Sequence, residues 1–250
     1  YGRLVPQQLD GKRHMVLKQP VGLVAAISPW NFPLALAVRK IAPALAAGCP
    51  VVLKPASRTP LCAVAFAECV AAAGLPPAVF QLVVGAAAEI ADEFLRNPLC
   101  RKISFTGSTE VGRKFIAGAA QAVKPLTLEL GGNAPVLVFD DCDVEQAAKG
   151  AMMAKFRNAG QSCIAANRIY VHRDVRARFV ESFTEKVRGL RVGDGIDPDS
   201  QIGPLIDTEA VGKAQEHVDD ALAGGAELLC GGKAMDRPGF FFEPTVLGNV

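Results

Sequence analysis

The sequence predicts an α/β fold built on a parallel sheet covered by helices, and three observations carry that expectation. From residue 21 onward, short apolar runs alternate with longer stretches of helical periodicity. The strand-like runs at 21–28 and 50–53 are apolar without alternation, as strands buried on both faces are. Turn formers separate successive segments, which is the rhythm of strands joined by crossover helices.

Each element follows from its own residues. Residues 21–28 read as a buried strand and 34–47 as a helix stopped by Gly48. After a strand at 50–53, Thr59 is expected as N-cap and Pro60 as first residue of a helix reaching about Gly74. Strands are expected at 79–84, 103–106 and 126–130, with helices at 89–95 and 109–122. Beyond Gly131 and Gly132 the alternation restarts: a strand at 136–139, a helix at 144–156, a polar turn, a strand at 168–172 and a helix at 175–190. Residues 193–200 are dense in turn formers, and a helix ending at Ala223, a Gly224-Gly225 turn and a strand at 227–229 follow. The first twenty residues predict a hairpin around Asp10-Gly11 that belongs to a smaller element. The expected division is therefore 1–20, 21–131 and 132–250, with no internal repeat and no low-complexity segment.

Composition excludes several function classes. The chain has 250 residues, with 27 basic against 25 acidic side chains and a net charge of only +2. No block of like charges offers itself to nucleic acid or a membrane surface. The longest apolar stretches fall short of the ~20 residues a spanning helix needs, so a soluble protein is expected. Seven cysteines, scattered without C-x-x-C pairs or histidine clusters, predict neither a disulfide framework nor a metal site, and reduced thiols fit a cytoplasmic location. The chain begins at Tyr1, so a signal peptide is neither visible nor excluded.

Cys163 is the most informative cysteine. It lies in the polar turn Arg157-Asn-Ala-Gly-Gln-Ser-Cys163, just before an apolar strand, where a thiol can meet a substrate. Most of the other six read as small buried hydrophobes. Glu129 interrupts the apolar run at 126–130; by period two it shares a face with Thr127, and the plain reading is a solvent-facing strand residue. Asn31, in the loop Ser28-Pro-Trp-Asn-Phe-Pro33, reads by itself first as the cap of the helix that follows. Lys54 closes the strand at 50–53 and reads as a surface lysine. The segment Gly107-Ser-Thr-Glu-Val-Gly112 joins a strand to a helix, where backbone amides can face a phosphate, although it is not G-x-G-x-x-G.

Taken together, Val51-Val-Leu-Lys-Pro-Ala-Ser57, Phe105-Thr-Gly-Ser-Thr-Glu-Val-Gly112, Leu128-Glu-Leu-Gly-Gly-Asn-Ala-Pro135 and the Cys163 turn resemble the NAD(P)-dependent aldehyde dehydrogenases from about residue 20 to the end. The resemblance implies an aldehyde dehydrogenase-like fold: a Rossmann-like cofactor domain at 21–131, an α/β catalytic domain at 132–250, and 1–20 as remnant of a bridging and oligomerisation hairpin. Family members are about twice this length, so the resemblance makes the chain an excised piece. It further implies Cys163 as nucleophile, Glu129 as base for thioester hydrolysis, and Asn31 as oxyanion donor beside the Cys163 N–H.

NADP or NAD is the implied cofactor, contacted by Trp30, Lys54, Ala56, Ser57, Gly107, Ser108, Gly112 and Leu130. Relatives that prefer NAD commonly carry an acid where Ser57 stands; serine beside Arg58 leaves a 2′-phosphate unrepelled. The motifs resemble most the succinate-semialdehyde dehydrogenase branch, with Arg157 as partner of the substrate carboxylate. Many members of that branch have a second cysteine two residues after the nucleophile, where this chain has Ala165, so a disulfide switch with that neighbour is absent. The expected partners are a small aldehyde and further copies of the chain, as dimer or tetramer, with no nucleic acid, membrane or metal. A CoA-acylating relative commonly lacks the carboxylate base, and a non-catalytic relative would have lost Cys163, Asn31 or Glu129; all three are present.

Overall fold

In the computed structural model, which describes residues 2–250, the chain divides into two compact units that meet in sequence between Gly131 and Gly132. The first opens with an antiparallel hairpin, β1 (Arg3–Val5) and β2 (His14–Val16), whose residues are all exposed. Then follow β3 (Leu23–Ile27), α1 (Ala35–Ala46), β4 (Val51–Lys54), α2 (Leu61–Ala72), β5 (Phe80–Leu82), α3 (Ala87–Arg96), β6 (Cys100–Gly107), α4 (Thr109–Ala120) and β7 (Leu126–Leu130).

The five strands from β3 to β7 form one parallel sheet in the order β5-β4-β3-β6-β7. The chain builds outward from β3 to β5, then returns to the other side of β3 for β6 and β7. That reversal makes a topological switch point between β3 and β6, and open α/β sheets bind ligands in the crevice beyond the strand C-termini there. Period-two alternation separates two cores. Val24, Ala26, Val51 and Leu53 pack with Ile41 of α1 and Ala63 of α2. Ala25, Ile103 and Phe105 pack with Phe94 of α3 and Phe115 of α4 on the other face. Ile41, Leu53 and Ile103 are fully buried, each contributing about 1.5–3 kcal/mol.

The second unit contains β8 (Ala134–Val138), α5 (Val144–Phe156), β9 (Ala166–Val171), α6 (Arg173–Arg188), α7 (Thr208–Ala223), β10 (Glu227–Cys230) and β11 (Val246–Gly248). Strands β8 and β9 pair in parallel, β10 and β11 antiparallel. Helices α5 and α6 bury Ala148, Phe179, Phe183 and Val187 against Val138, and the Phe179 and Phe183 rings stack with centroids 5.6 Å apart. The Asp143 carboxylate caps α5 by accepting from the N–H groups of Glu145 and Gln146. Among the described residues no helix is long and apolar enough to cross a membrane.

Several expected boundaries shift. Pro60, not Thr59, occupies the N-cap position of α2, and the Thr59 hydroxyl instead donates to the Trp30 carbonyl at 3.5 Å. Asn31 does not cap α1, whose N-cap position belongs to Leu34 without any side-chain bond. β8 starts at Ala134 and takes in Pro135, which a two-stranded sheet tolerates because each strand has a free edge. β9 begins two residues earlier than expected, and His172 leaves the strand to cap α6. β11, three residues long, carries no readable pattern of its own.

Candidate active site

In the first unit the expected cofactor residues gather at the C-terminal ends of neighbouring strands. Ile27 of β3 is in register with Lys54 of β4 and with Phe105 of β6, so the loops leaving all three strands start at one level. Trp30 and Asn31 follow β3, and both are half-buried. The Asn31 Oδ1 accepts from the Phe32 N–H at 3.1 Å. Lys54 is buried, its ammonium donates to the Ser57 hydroxyl at 3.3 Å, and burial lowers its pKa. Ala56 lies between them, and its carbonyl holds Thr59 N–H at 3.2 Å. Ser57 and its neighbour Arg58 are exposed.

After β6, Gly107 ends the strand and Ser108 caps α4, its hydroxyl accepting from Val111 N–H at 3.3 Å. Gly112 is buried inside α4, and a Cβ there would stand 2.7 Å from Leu130 Cδ2. The helix therefore packs onto the end of β7 only because that position lacks a side chain. Leu130, which the resemblance implies as a cofactor contact, spends its side chain on this packing.

Glu129 pairs in register with Thr106 on β6 and lies on the exposed side of β7, with Thr127. On β6 and β7 that face is polar. Lys102 donates to the Thr127 hydroxyl at 2.8 Å, and Lys40 of α1 donates to Ser104 at 3.3 Å. Burial lowers the Lys40 pKa from 10.5 to about 8, and the Glu129 charge partly offsets this. Lys40 was not an expected site residue, yet it shares the inward face of α1 with Ala37 and Ile41, and that spacing was its readable signal. The buried hydroxyls of Ser28 and Thr106 also went unread. Neither has a hydrogen-bond partner among the described residues, and they stand at the ends of β3 and β6, flanking the switch point. Buried polar groups demand a partner. Two such orphans, with the Lys54–Ser57 pair and the Gly107 turn, fit a dinucleotide laid across these strand ends.

In the second unit Cys163 is exposed on the turn between α5 and β9. Arg157, Asn158, Ala159 and Gly160 form a short 3-10 turn, and the last three have left-handed backbones, with φ of 55°, 54° and 76°. The turn is tied by Gln161 N–H to the Asn158 carbonyl at 3.0 Å and by Ala165 N–H to the Ser162 carbonyl at 3.0 Å. No described residue accepts from the Cys163 N–H, which leaves that donor available to an oxyanion beside the sulfur. Gly132, at the entry to β8, brings its Cα close to the Cys163 carbonyl, and a Cβ there would lie 3.6 Å from it. Arg157 is exposed at the start of the turn, six residues before the thiol.

Away from this turn, Asp140, His172 and Asp174 place ligand atoms within 4.8 Å of one another, a cluster that was not expected. His172 Nδ1 there accepts from Asp174 N–H at 3.4 Å, as the cap of α6.

The aldehyde dehydrogenase family matches over residues 1–250. The chain is 53% identical, over its whole length and 52% of the relative's, to the NADP(+) succinate-semialdehyde dehydrogenase of Escherichia coli. It is 50% identical to a glutarate-semialdehyde dehydrogenase of Pseudomonas aeruginosa, again over all of this chain and 52% of that one. The crystal structure of an NADP-dependent enzyme of E. coli superposes with a TM-score of 0.98 at 53% identity, covering this chain fully and 52% of its own. The chain thus spans about half the length of the curated relatives it matches. With a parallel sheet switching at β3 and β6 and an exposed cysteine on the turn before β9, the chain belongs to the aldehyde dehydrogenase family.

Proposed function

We propose that the whole protein oxidises a short aldehyde bearing a terminal carboxylate, succinate semialdehyde first, to the corresponding acid with NADP⁺ or NAD⁺. The observation that carries this reading is the Cys163 turn, which presents an exposed thiol beside an unengaged backbone N–H. The Cys163 thiolate attacks the aldehyde carbon, forming a C–S bond and an oxyanion that the Cys163 N–H and the Asn31 side-chain amide hold. The cofactor, when bound, accepts the hydride that leaves this carbon. Cys163 then carries a thioester. Glu129 takes one proton from water, the hydroxide adds to the thioester carbon, and the C–S bond breaks to give free thiolate and the acid, which loses its proton to solvent as carboxylate.

Trp30, Lys54, Ala56, Ser57, Gly107 and Ser108 form the cofactor cradle in this reading, with Gly112 and Leu130 packed together behind it. Lys54 and Ser57 donate to the adenosine ribose and its substituent. Serine at 57 and the adjacent Arg58 favour NADP⁺, in keeping with the cofactor named for the E. coli relative. Arg157 pairs with the substrate's distal carboxylate, which succinate and glutarate semialdehydes share. Subunits assemble as a dimer or tetramer, with residues 1–20 bridging, and the enzyme works in the cytoplasm. A steady-state survey of the full-length protein tests the reading. kcat/KM should be highest for succinate semialdehyde among aldehydes of two to six carbons with and without a distal carboxylate. Equal rates for butyraldehyde would contradict a carboxylate-recognising site.

A further inference from the structure

We propose that Lys155 is a positioning residue, its bond to Asn167 bracing the two ends of the turn that carries Cys163. Lys155 stands in the last turn of α5, and Asn167 is the second residue of β9. The Lys155 Nζ donates to Asn167 Oδ1 at 2.6 Å, so one bond spans everything from Arg157 to Ala166. On its way the lysine crosses Gly160. A Cβ at Gly160 would lie 3.2 Å from Lys155 Nζ and 3.3 Å from Cε, and φ there is +76°, so glycine alone leaves the path open without strain. The ammonium is half-buried in this position, and desolvation lowers its pKa.

The turn needs such a brace. Asn158 and Ala159 hold left-handed conformations, a sparsely populated state for any residue with a side chain, which persists only where surroundings enforce it. Gln161 supplies one restraint on the outer side: its Oε1 accepts from Ile206 N–H at 2.9 Å, and its amide donates to the Pro204 carbonyl at 3.4 Å. That restraint fixes the turn against the 204–206 segment but does not join α5 to β9. The Lys155–Asn167 bond does. Holding the ends fixed sets where Cys163 presents its sulfur, and a nucleophile displaced by an ångström loses rate without losing substrate affinity.

The proposal rests on Cys163 being the nucleophile, and a double-mutant cycle in the full-length enzyme separates the two claims. Lys155→Met keeps the length and cover over Gly160 but cannot donate; Asn167→Ala removes the acceptor. Each single variant should slow the first-turnover burst of NADPH from succinate semialdehyde by about 10- to 100-fold while KM stays within about twofold. The double variant should be no slower than the slower single, because both remove one bond. Lys155→Arg should recover much of the burst. Losses that multiply in the double variant, or that follow a fallen melting temperature and leave the burst rate per folded enzyme intact, would overturn the positioning role. If Cys163→Ala keeps its burst, the underlying reading fails instead; if it loses the burst while the cycle is additive, only the brace fails.

Discussion

In the first unit the polar groups stand at the ends of five paired parallel strands, whereas in the second the thiol rides on a turn with three consecutive left-handed residues between α5 and β9. Ladder pairing sets Lys54 level with Ile27 and Phe105, and Thr106 level with Glu129 one residue on, so each inherits its place from the sheet. Cys163 has no ladder. What holds its turn are side-chain bonds: Lys155 to Asn167 from one end to the other, and Gln161 to the 204–206 segment. Chemistry on a sheet edge is thus rigid by construction, while chemistry on a turn must be braced from outside.

The widest separation between the two regions should appear on deleting their key side chains. Cys163→Ala in the full-length enzyme should abolish both the NADPH burst and turnover, since nothing else in the second unit's turn can form the C–S bond. Stopped-flow absorbance checks this. Glu129→Gln should leave a burst but slow steady-state turnover by about 10²–10⁴-fold, the range for removing a general base. Wild-type turnover in that variant would show that water is activated elsewhere.

A smaller effect should confine itself to the first unit. Ser57→Glu places a carboxylate beside the buried Lys54 and against a 2′-phosphate, so kcat/KM should swing from NADP⁺ toward NAD⁺ by about 10-fold or more. Burst rates at saturating cofactor should barely change. A wild type that already strongly prefers NAD⁺ would show that position 57 does not govern the choice.

The remaining effect is on stability and leaves the rates unchanged. Lys40 has its pKa lowered from 10.5 to about 8 by burial, so between those values the unfolded chain binds more protons than the folded one. The cost of burying its charge is therefore present in full below pH 8 and vanishes as pH rises past 10.5. Lys40→Met should stabilise the fold near pH 7 by at most roughly 3 kcal/mol, at 1.36 kcal/mol per pKa unit, seen as a higher melting temperature. The advantage should shrink between pH 8 and 10.5. A difference that is flat with pH would mean the Ser104 bond, not the charge, dominates at Lys40.

The same contrast explains what the sequence made legible. Apolar runs and turn formers located β7 and α5 to the residue, because each has a clear period and flanking glycine or Asp143. The motifs around Glu129 and Cys163 were readable as local strings. Lys40 and the orphaned hydroxyls of Ser28 and Thr106 were not, since their importance comes from neighbours far along the chain: Lys40 meets Ser104 across 64 residues. The left-handed Ala159 left no trace either, because alanine carries no signature of a conformation imposed by its surroundings.

The central claim is that Cys163 forms the covalent intermediate, and trapping it is the most direct test. The full-length Glu129→Gln enzyme should be mixed with succinate semialdehyde and NADP⁺, quenched in acid within the burst, digested and sequenced by mass spectrometry. The account predicts a succinyl thioester on the peptide containing Cys163 and on no other cysteine. An acyl group found on another of the seven cysteines, or none on any while NADPH is formed, would contradict it.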